Sequence, residues 1–149
     1  MKIEEIIQST SMPPARKTVI NIIFTANLLS EQSAEVLKPF GLSLPQFNVL
    51  RILRGQKGKP ANLSTIQDRM VNKMSNTTRL VDKLIEKGLA SRIICAENRR
   101  KVEISITQKG LALLSEIDAP MDEMNQKAIS RLSEDDINSL NDLLEKVRG

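Results

Sequence analysis

Residues 63–110 read LSTIQDRMVNKMSNTTRLVDKLIEKGLASRIICAENRRKVEISITQKG, and this stretch decides the fold. Its apolar residues follow helical spacing as far as Gly88 and alternate with polar residues from Val102 onward. The pattern predicts a helix, a tight turn and a second helix, followed by two strands joined by a basic turn. A helix-turn-helix followed by such a hairpin is a winged helix.

Capping residues predict where these two helices begin and end. Ser64 and Gln67 have capping-box spacing, so the first helix is expected to begin there and to end near Val71. Ser75 is expected to cap the second helix, and Gly88 suits the left-handed position that ends it. The two strands are expected at residues 92–95 and 102–107, and the turn between them at residues 96–101.

The charges of the chain are concentrated in the same region. Residues 51–110 contain 14 Lys/Arg and 5 Asp/Glu, a net charge of +9, whereas the whole chain carries only +4. The flanking segments are therefore acidic, and a polyanion would be attracted to the central segment. Aromatic residues make up only 2% of the chain. Single-stranded nucleic acids are usually held by aromatic stacking, so double-stranded DNA is the expected partner.

Several other classes of protein are excluded or disfavoured. Cys95 is the single cysteine, so the chain has no internal disulfide, and a cytoplasmic location is expected. No run of about 18 apolar residues predicts a membrane span. Histidine is absent, and no phosphate-binding, nucleophile or metal motif occurs. We therefore expect no catalytic residues, no metal and no cofactor.

The second predicted helix has one apolar side, which includes Leu80, Val81 and Leu84. That side is expected to pack on the domain, leaving the polar start of the helix free for the major groove. Asp82 and Glu86 would repel phosphate, which restricts the expected contacts to the first two turns. The helix residues predicted to contact DNA are Ser75, Asn76, Thr78, Arg79 and Lys83.

The segments on either side of the winged helix are predicted to be helical. Helices are expected at 15–37, from Thr107 onward with an interruption or kink at Pro120, and after Ser133. The predicted fold is mostly α with a small β-hairpin wing. Residues 1–149 would form one domain, with a DNA-binding lobe at about 40–110. The helical regions at about 1–38 and 111–149 would form a homodimer.

The chain resembles the MarR family of bacterial winged-helix regulators over nearly its whole length. The resemblance is carried by SNTTRLVDKLIEKGLASR (75–92), NRRKVEISIT (98–107) and QKG (108–110). It implies that residues 75–87 form the recognition helix. The family's wing motif is Asp-x-Arg, which implies that Arg100 enters the minor groove, with Arg99 and Lys101 beside it as further DNA contacts.

The wing departs from the family pattern at one position. Asn98 replaces the Asp that commonly pairs with an arginine and braces the wing. The sequence therefore predicts a more mobile wing. One hypothesis is that Glu97 supplies the missing carboxylate.

These features together predict a dimeric regulator that binds a pseudo-palindromic site in double-stranded DNA. We expect a repressor that responds to a small-molecule effector. Two alternatives are a winged-helix module that binds an acidic protein and a redox-responsive regulator that acts through Cys95. The latter is possible because neighbouring arginines would favour a thiolate.

Overall fold

The computed structural model describes residues 1–94, 96–98 and 100–149. The predicted fold class is confirmed: these residues form a mostly helical structure with one antiparallel hairpin. No helix in the described part of the chain is long and apolar enough to cross a membrane. The helices are α1 (Ile3–Ile6), α2 (Pro14–Leu37), α3 (Leu44–Gly55), α4 (Leu63–Arg69), α5 (Thr77–Glu86), α6 (Gln108–Ala128) and α7 (Glu134–Arg148); the strands are β1 (Ala90–Ile94) and β2 (Val102–Ile106).

The core is aliphatic and is centred on α3. This helix buries Val49, Leu50 and Leu53, which belong to the same apolar cluster as Leu84 of α5 and Ile104 of β2. α6 contributes further buried residues to this cluster. The winged-helix lobe is therefore built around one shared core, and α6 extends from that core into the C-terminal region.

Two predicted helix caps were wrong. The side chain of Asn62, not Ser64, caps α4, and its oxygen accepts a hydrogen bond from the Thr65 amide at 2.7 Å. The side chain of Asn76, not Ser75, caps α5. Asn is as effective a cap as Ser, so adjacent polar residues leave the start of a helix ambiguous in the sequence.

Of the interruption or kink predicted at Pro120, the interruption does not occur, because α6 continues through that residue. The helix starts predicted at Thr107 and after Ser133 are confirmed, with those residues as caps, and Ser43 caps α3. In α7, Ser133 and Asp136 form a capping box. Hydrogen bonds from the Ser133 backbone amide and its side chain lower the pKa of the Asp136 carboxyl.

A bridge that the sequence did not predict joins the wing to the residue before the α4 cap. Ala61 pairs with Ile104 of β2, and each amide donates to the other residue's carbonyl at 2.8 Å. Within the hairpin, Ala90 lies opposite Ile106 and Ile94 opposite Val102. The wing is therefore tied by hydrogen bonds to the segment that leads into the helix-turn-helix.

The end of α5 is joined tightly to the start of α6. Gly88 has the predicted left-handed backbone (φ 74°), and the Leu89 amide donates to the Leu84 carbonyl at 2.9 Å. The Thr107 hydroxyl donates to the Gly88 carbonyl at 2.7 Å. At Gly110, an added Cβ would lie 2.4 Å from the Leu89 carbonyl oxygen. Only glycine fits at this approach of α6 to the hairpin.

The lobe and the C-terminal region are also joined by an ion pair. The Arg54 guanidinium of α3 donates to both carboxylate oxygens of Asp118 on α6, at 2.9 and 3.0 Å. Both side chains are more than a third exposed, so the bidentate geometry matters more for orientation than for stability. The pair links α3 to α6 beside the shared core.

Candidate nucleic-acid interface

Helix α5 buries one side and exposes the other. Val81 and Leu84 are buried and Leu80 is half-buried, and all three lie on the side that packs against the core. Thr78 and Arg79 are exposed in the first turn. The side of α5 that faces solvent therefore presents a hydroxyl and a guanidinium next to the helix N-terminus. Both groups suit bases or phosphates.

Asn76 has a structural task at the start of α5. Its side-chain oxygen accepts a hydrogen bond from the Arg79 amide at 3.1 Å, and its carbonyl accepts one from Leu80 at 3.1 Å. The amide nitrogen of the side chain has two donors left over. Asn76 can thus donate to a phosphate or a base acceptor, and Ser75 beside it is half-buried.

The turn between α4 and α5 is closed by Gln67. Its amide nitrogen donates to the Lys73 carbonyl at 2.7 Å, and its amide oxygen accepts from the buried Thr77 hydroxyl. The Lys73 ammonium group in turn donates to the carbonyls of Gln67 and Asp68 at the end of α4. These contacts set the angle between the two helices. This role of Gln67 was not predicted, because a long amide side chain near the end of α4 is its only signal in the sequence.

The acidic residues of α5 both have cationic partners. Asp82 pairs with Arg92 of β1, and Glu86 lies with its carboxylate 3.5 Å from the Lys83 ammonium group. These pairs reduce the repulsion of phosphate that the two carboxylates would cause. The Asp82 pair also connects α5 to the wing. Lys83 is exposed, but its charge is shared with Glu86.

The wing tip is closed by Asn98. Its side-chain oxygen accepts from the Arg100 amide at 3.1 Å, and its carbonyl accepts from the Lys101 amide at 2.9 Å. Glu97 is exposed and forms no ion pair with any residue that the structure describes. Arg99 and Cys95 lie outside the described residues. Asn98 therefore closes the turn by hydrogen bonds alone, without the charge that an Asp would have at this position.

The side chains of Arg100 and Lys101 are exposed at the wing tip. Together with the start of α4 they border an open groove of about 350 Å³. The structure therefore places basic residues on two projecting elements, the start of α5 and the wing. The groove is lined by Asn62, Leu63, Ser64, Asn98, Arg100, Lys101 and Val102.

Asn98 offers a direct test of how the wing is held. We expect Asn98→Ala to weaken DNA binding about tenfold, because it removes the acceptor that orients the Arg100 amide. Asn98→Asp retains an acceptor at that point and should bind within about threefold of the wild type. Titration of a labelled DNA duplex measures both effects. Equal affinities for the Ala variant and the wild type would contradict the assigned role.

Comparison with known proteins gives a consistent result. The model of the MarR family matches residues 42–102. The HTH-type transcriptional regulator MhqR of Bacillus subtilis is 34% identical over 111 residues, which are 72% of each chain. The HTH-type transcriptional repressor IacR of Pseudomonas putida is 28% identical over 118 residues, covering 79% of this chain and 70% of IacR. These relatives are transcription regulators and not enzymes.

Two solved structures share the fold. A mutant MarR of Escherichia coli complexed with operator DNA has a TM-score of 0.76 and 23% identity, covering 85% of this chain and 89% of that one. Bordetella bronchiseptica BpsR, whose DNA binding is regulated by 6-hydroxynicotinic acid, has a TM-score of 0.80 and 18% identity. The match covers 93% of this chain and 98% of BpsR. These two structures show the fold, whereas the family-model match and the 34% identity to MhqR show that the chain belongs to the MarR family of transcription regulators.

Proposed function

We propose that the protein is a dimeric, sequence-specific repressor that binds double-stranded DNA in the bacterial cytoplasm. The observation that carries the proposal is the presence of two exposed elements with basic residues on one lobe. The start of α5 exposes Thr78 and Arg79, and the wing exposes Arg100 and Lys101. The MarR structure with operator DNA supports it, since that chain has the same fold.

Dimer formation is supported by apolar surface on the terminal helices. None of residues 134–148 is buried, although α7 carries an apolar stripe that includes Leu140, Leu143 and Val147. α2 likewise exposes Ile23 and Leu28. An apolar area of this kind marks an interaction site. We infer that α2 and α7 of two subunits cover each other's exposed residues.

The proposed dimer would place one recognition helix in each of two successive major grooves. In this arrangement the half-sites lie about 34 Å apart, which is one turn of DNA. Residues of about 40–110 form the DNA-binding lobe in this proposal, and the remaining helices set the spacing. Ser75, Asn76, Thr78, Arg79 and Lys83 would lie in the major groove, and Arg99, Arg100 and Lys101 at the flanking minor groove.

Repression and a response to an effector are the finer parts of the proposal. They are supported by the relatives, since IacR is named as a repressor and BpsR is regulated by 6-hydroxynicotinic acid. A cavity of about 270 Å³ lies where α2, α3 and α6 meet, and the charged residues of its lining are Arg51, Arg54, Asp118 and Asp122. A small anion bound to these arginines would compete with Asp118. It would thereby shift the population of dimers away from the DNA-binding spacing.

Selection of bound sites from a random-sequence duplex pool tests the proposed function. The selection is run with the purified protein at two salt concentrations. We expect one pseudo-palindromic site to be recovered at both. Binding that depends on salt alone and recovers no common sequence would contradict a sequence-specific regulator.

Arg100 provides a test of the wing contact. We expect Arg100→Ala to lower affinity for the selected site about tenfold or more, because a guanidinium is attracted to the negative potential of a narrow minor groove. The salt dependence of binding should fall by about one unit if a phosphate contact is also lost. Titrations at several salt concentrations measure both quantities. An unchanged affinity and an unchanged salt dependence would show that Arg100 does not contact DNA.

A matched variant separates this effect from a general loss of positive charge. Lys57 is a basic residue in the loop that follows α3, and its side chain is exposed. Lys57→Ala removes the same charge outside the proposed contacts. We expect it to change the affinity less than about threefold.

A further inference from the structure

Two apolar side chains are exposed in the turn of the helix-turn-helix. Val71 is 80% exposed and Met74 is 92% exposed. They are among the most exposed large hydrophobic residues of the chain. Both lie between α4 and α5, far in sequence from the apolar faces of the terminal helices. The proposed dimer does not explain them.

Several polar side chains of the same turn make internal contacts. Asn72 accepts a hydrogen bond from the Met74 amide at 3.0 Å through its side-chain oxygen. Lys73 donates to carbonyls at the end of α4, and Asn76 caps α5. In this turn the side chains of Asn72 and Lys73 contact the protein, whereas the apolar side chains of Val71 and Met74 are exposed to solvent. Such a surface gains free energy when a partner covers it.

The position of the turn favours DNA as that partner. Met74 lies two residues before the cap of α5, next to the helix turn that exposes Thr78 and Arg79. Residues 69–79 contain Arg69, Lys73 and Arg79 and no acidic residue. A second copy of the same surface would be repelled by these charges, whereas DNA would be attracted.

Duplex DNA has an apolar group that fits these side chains. The 5-methyl group of thymine projects into the major groove and is recognised by apolar contacts. We propose that Val71 and Met74 are specificity-determining residues that contact thymine methyl groups within each half-site. The inference rests on the proposed function, since it assigns a base preference to the same surface.

Replacement of single thymines by uracil in the selected site tests the proposal, since it removes only the methyl group. For the wild type, we expect one or two thymine positions in each half-site to be sensitive. The affinity should fall about fourfold for each methyl group lost, and about fifteenfold when the same position is replaced in both half-sites. If no thymine position is sensitive, the proposal is overturned.

Variants show whether Val71 and Met74 cause that sensitivity. Met74→Ser and Val71→Ser should each bind the thymine site no more tightly than the wild type binds the site with uracil at the sensitive position of both half-sites. Neither Ser variant should distinguish thymine from uracil at the position that its residue contacts. Met74→Leu and Val71→Ile keep an apolar side chain and should retain discrimination. Binding to an unrelated duplex should be equal for all variants, because no charge changes.

Other occupants of the surface would give different results. If Met74→Ser alters the oligomeric state by sedimentation but leaves thymine discrimination intact, a second copy covers the turn and the proposal is overturned. The proposal is also overturned if the Ser and Leu variants of Met74 discriminate equally between the thymine and uracil sites. If the wild type binds no duplex, the proposed function itself fails, and that outcome is distinct from loss of discrimination.

Discussion

Leu143→Asp is expected to convert the proposed dimer to a monomer and to lower the affinity for the full DNA site by about a hundredfold or more. Leu143 is 59% exposed in the single chain, so aspartate at this position should leave the monomer folded. In the proposed dimer the same carboxylate would be buried against apolar side chains, which is strongly unfavourable. The large loss of affinity arises because the two half-sites are no longer bound as one unit.

Sedimentation and DNA titration measure these two effects, and Asn138→Asp is a suitable control. Asn138 lies on the opposite side of α7 from Leu140 and Leu143, and it is exposed. The control variant adds the same charge to the same helix and should remain a dimer with wild-type affinity. A dimeric Leu143→Asp protein would show that α7 does not form the interface.

Gly110→Ala should destabilise the fold by about 3 kcal/mol. The added Cβ would lie 2.4 Å from the Leu89 carbonyl oxygen and 2.7 Å from Cγ1 of Ile106. The first of these neighbours is backbone, so it cannot move aside without shifting the end of α5 or the hairpin. Overpacking of this kind typically costs about 1–3 kcal/mol, and a backbone contact places this site at the upper end.

Thermal unfolding at a fixed protein concentration measures the effect, and the Tm is expected to fall by about 10 °C. Gly55→Ala is the matched control. A Cβ at Gly55 meets nothing within 4 Å, and Gly55 does not have a left-handed backbone. That variant should be neutral or more stable by up to about 1 kcal/mol. A wild-type Tm for Gly110→Ala would mean that α6 does not pack this closely against the hairpin.

The order of the elements and the buried side of α5 were predictable from the sequence. The spacing of Leu80, Val81 and Leu84 determines which side of the helix enters the core, because apolar burial dominates the folding free energy. The hairpin was predicted from the alternation of apolar and polar residues between Val102 and Ile106. Both are local patterns, and a single sequence contains them in full.

The remaining features depend on contacts between distant residues. The bridge of Ala61 to Ile104 is one residue long and has no periodic signal. Gln67 was interpreted as part of a capping box, whereas its amide closes the turn. The close approach at Gly110 and the ion pair of Asp82 with Arg92 arise only when the elements have packed. The positions of the candidate DNA contacts rest on these tertiary contacts.

The bridge between Ala61 and Ile104 has a consequence for the length of the DNA site. Because β2 is hydrogen-bonded at Ile104 to Ala61, the base of the wing is held against the segment that leads into the helix-turn-helix. One inserted base pair moves the minor groove along the axis by about 3.4 Å and rotates it by about a tenth of a turn. Each half-site would then be recognised partly by its internal spacing, a quantity that base substitutions leave unchanged.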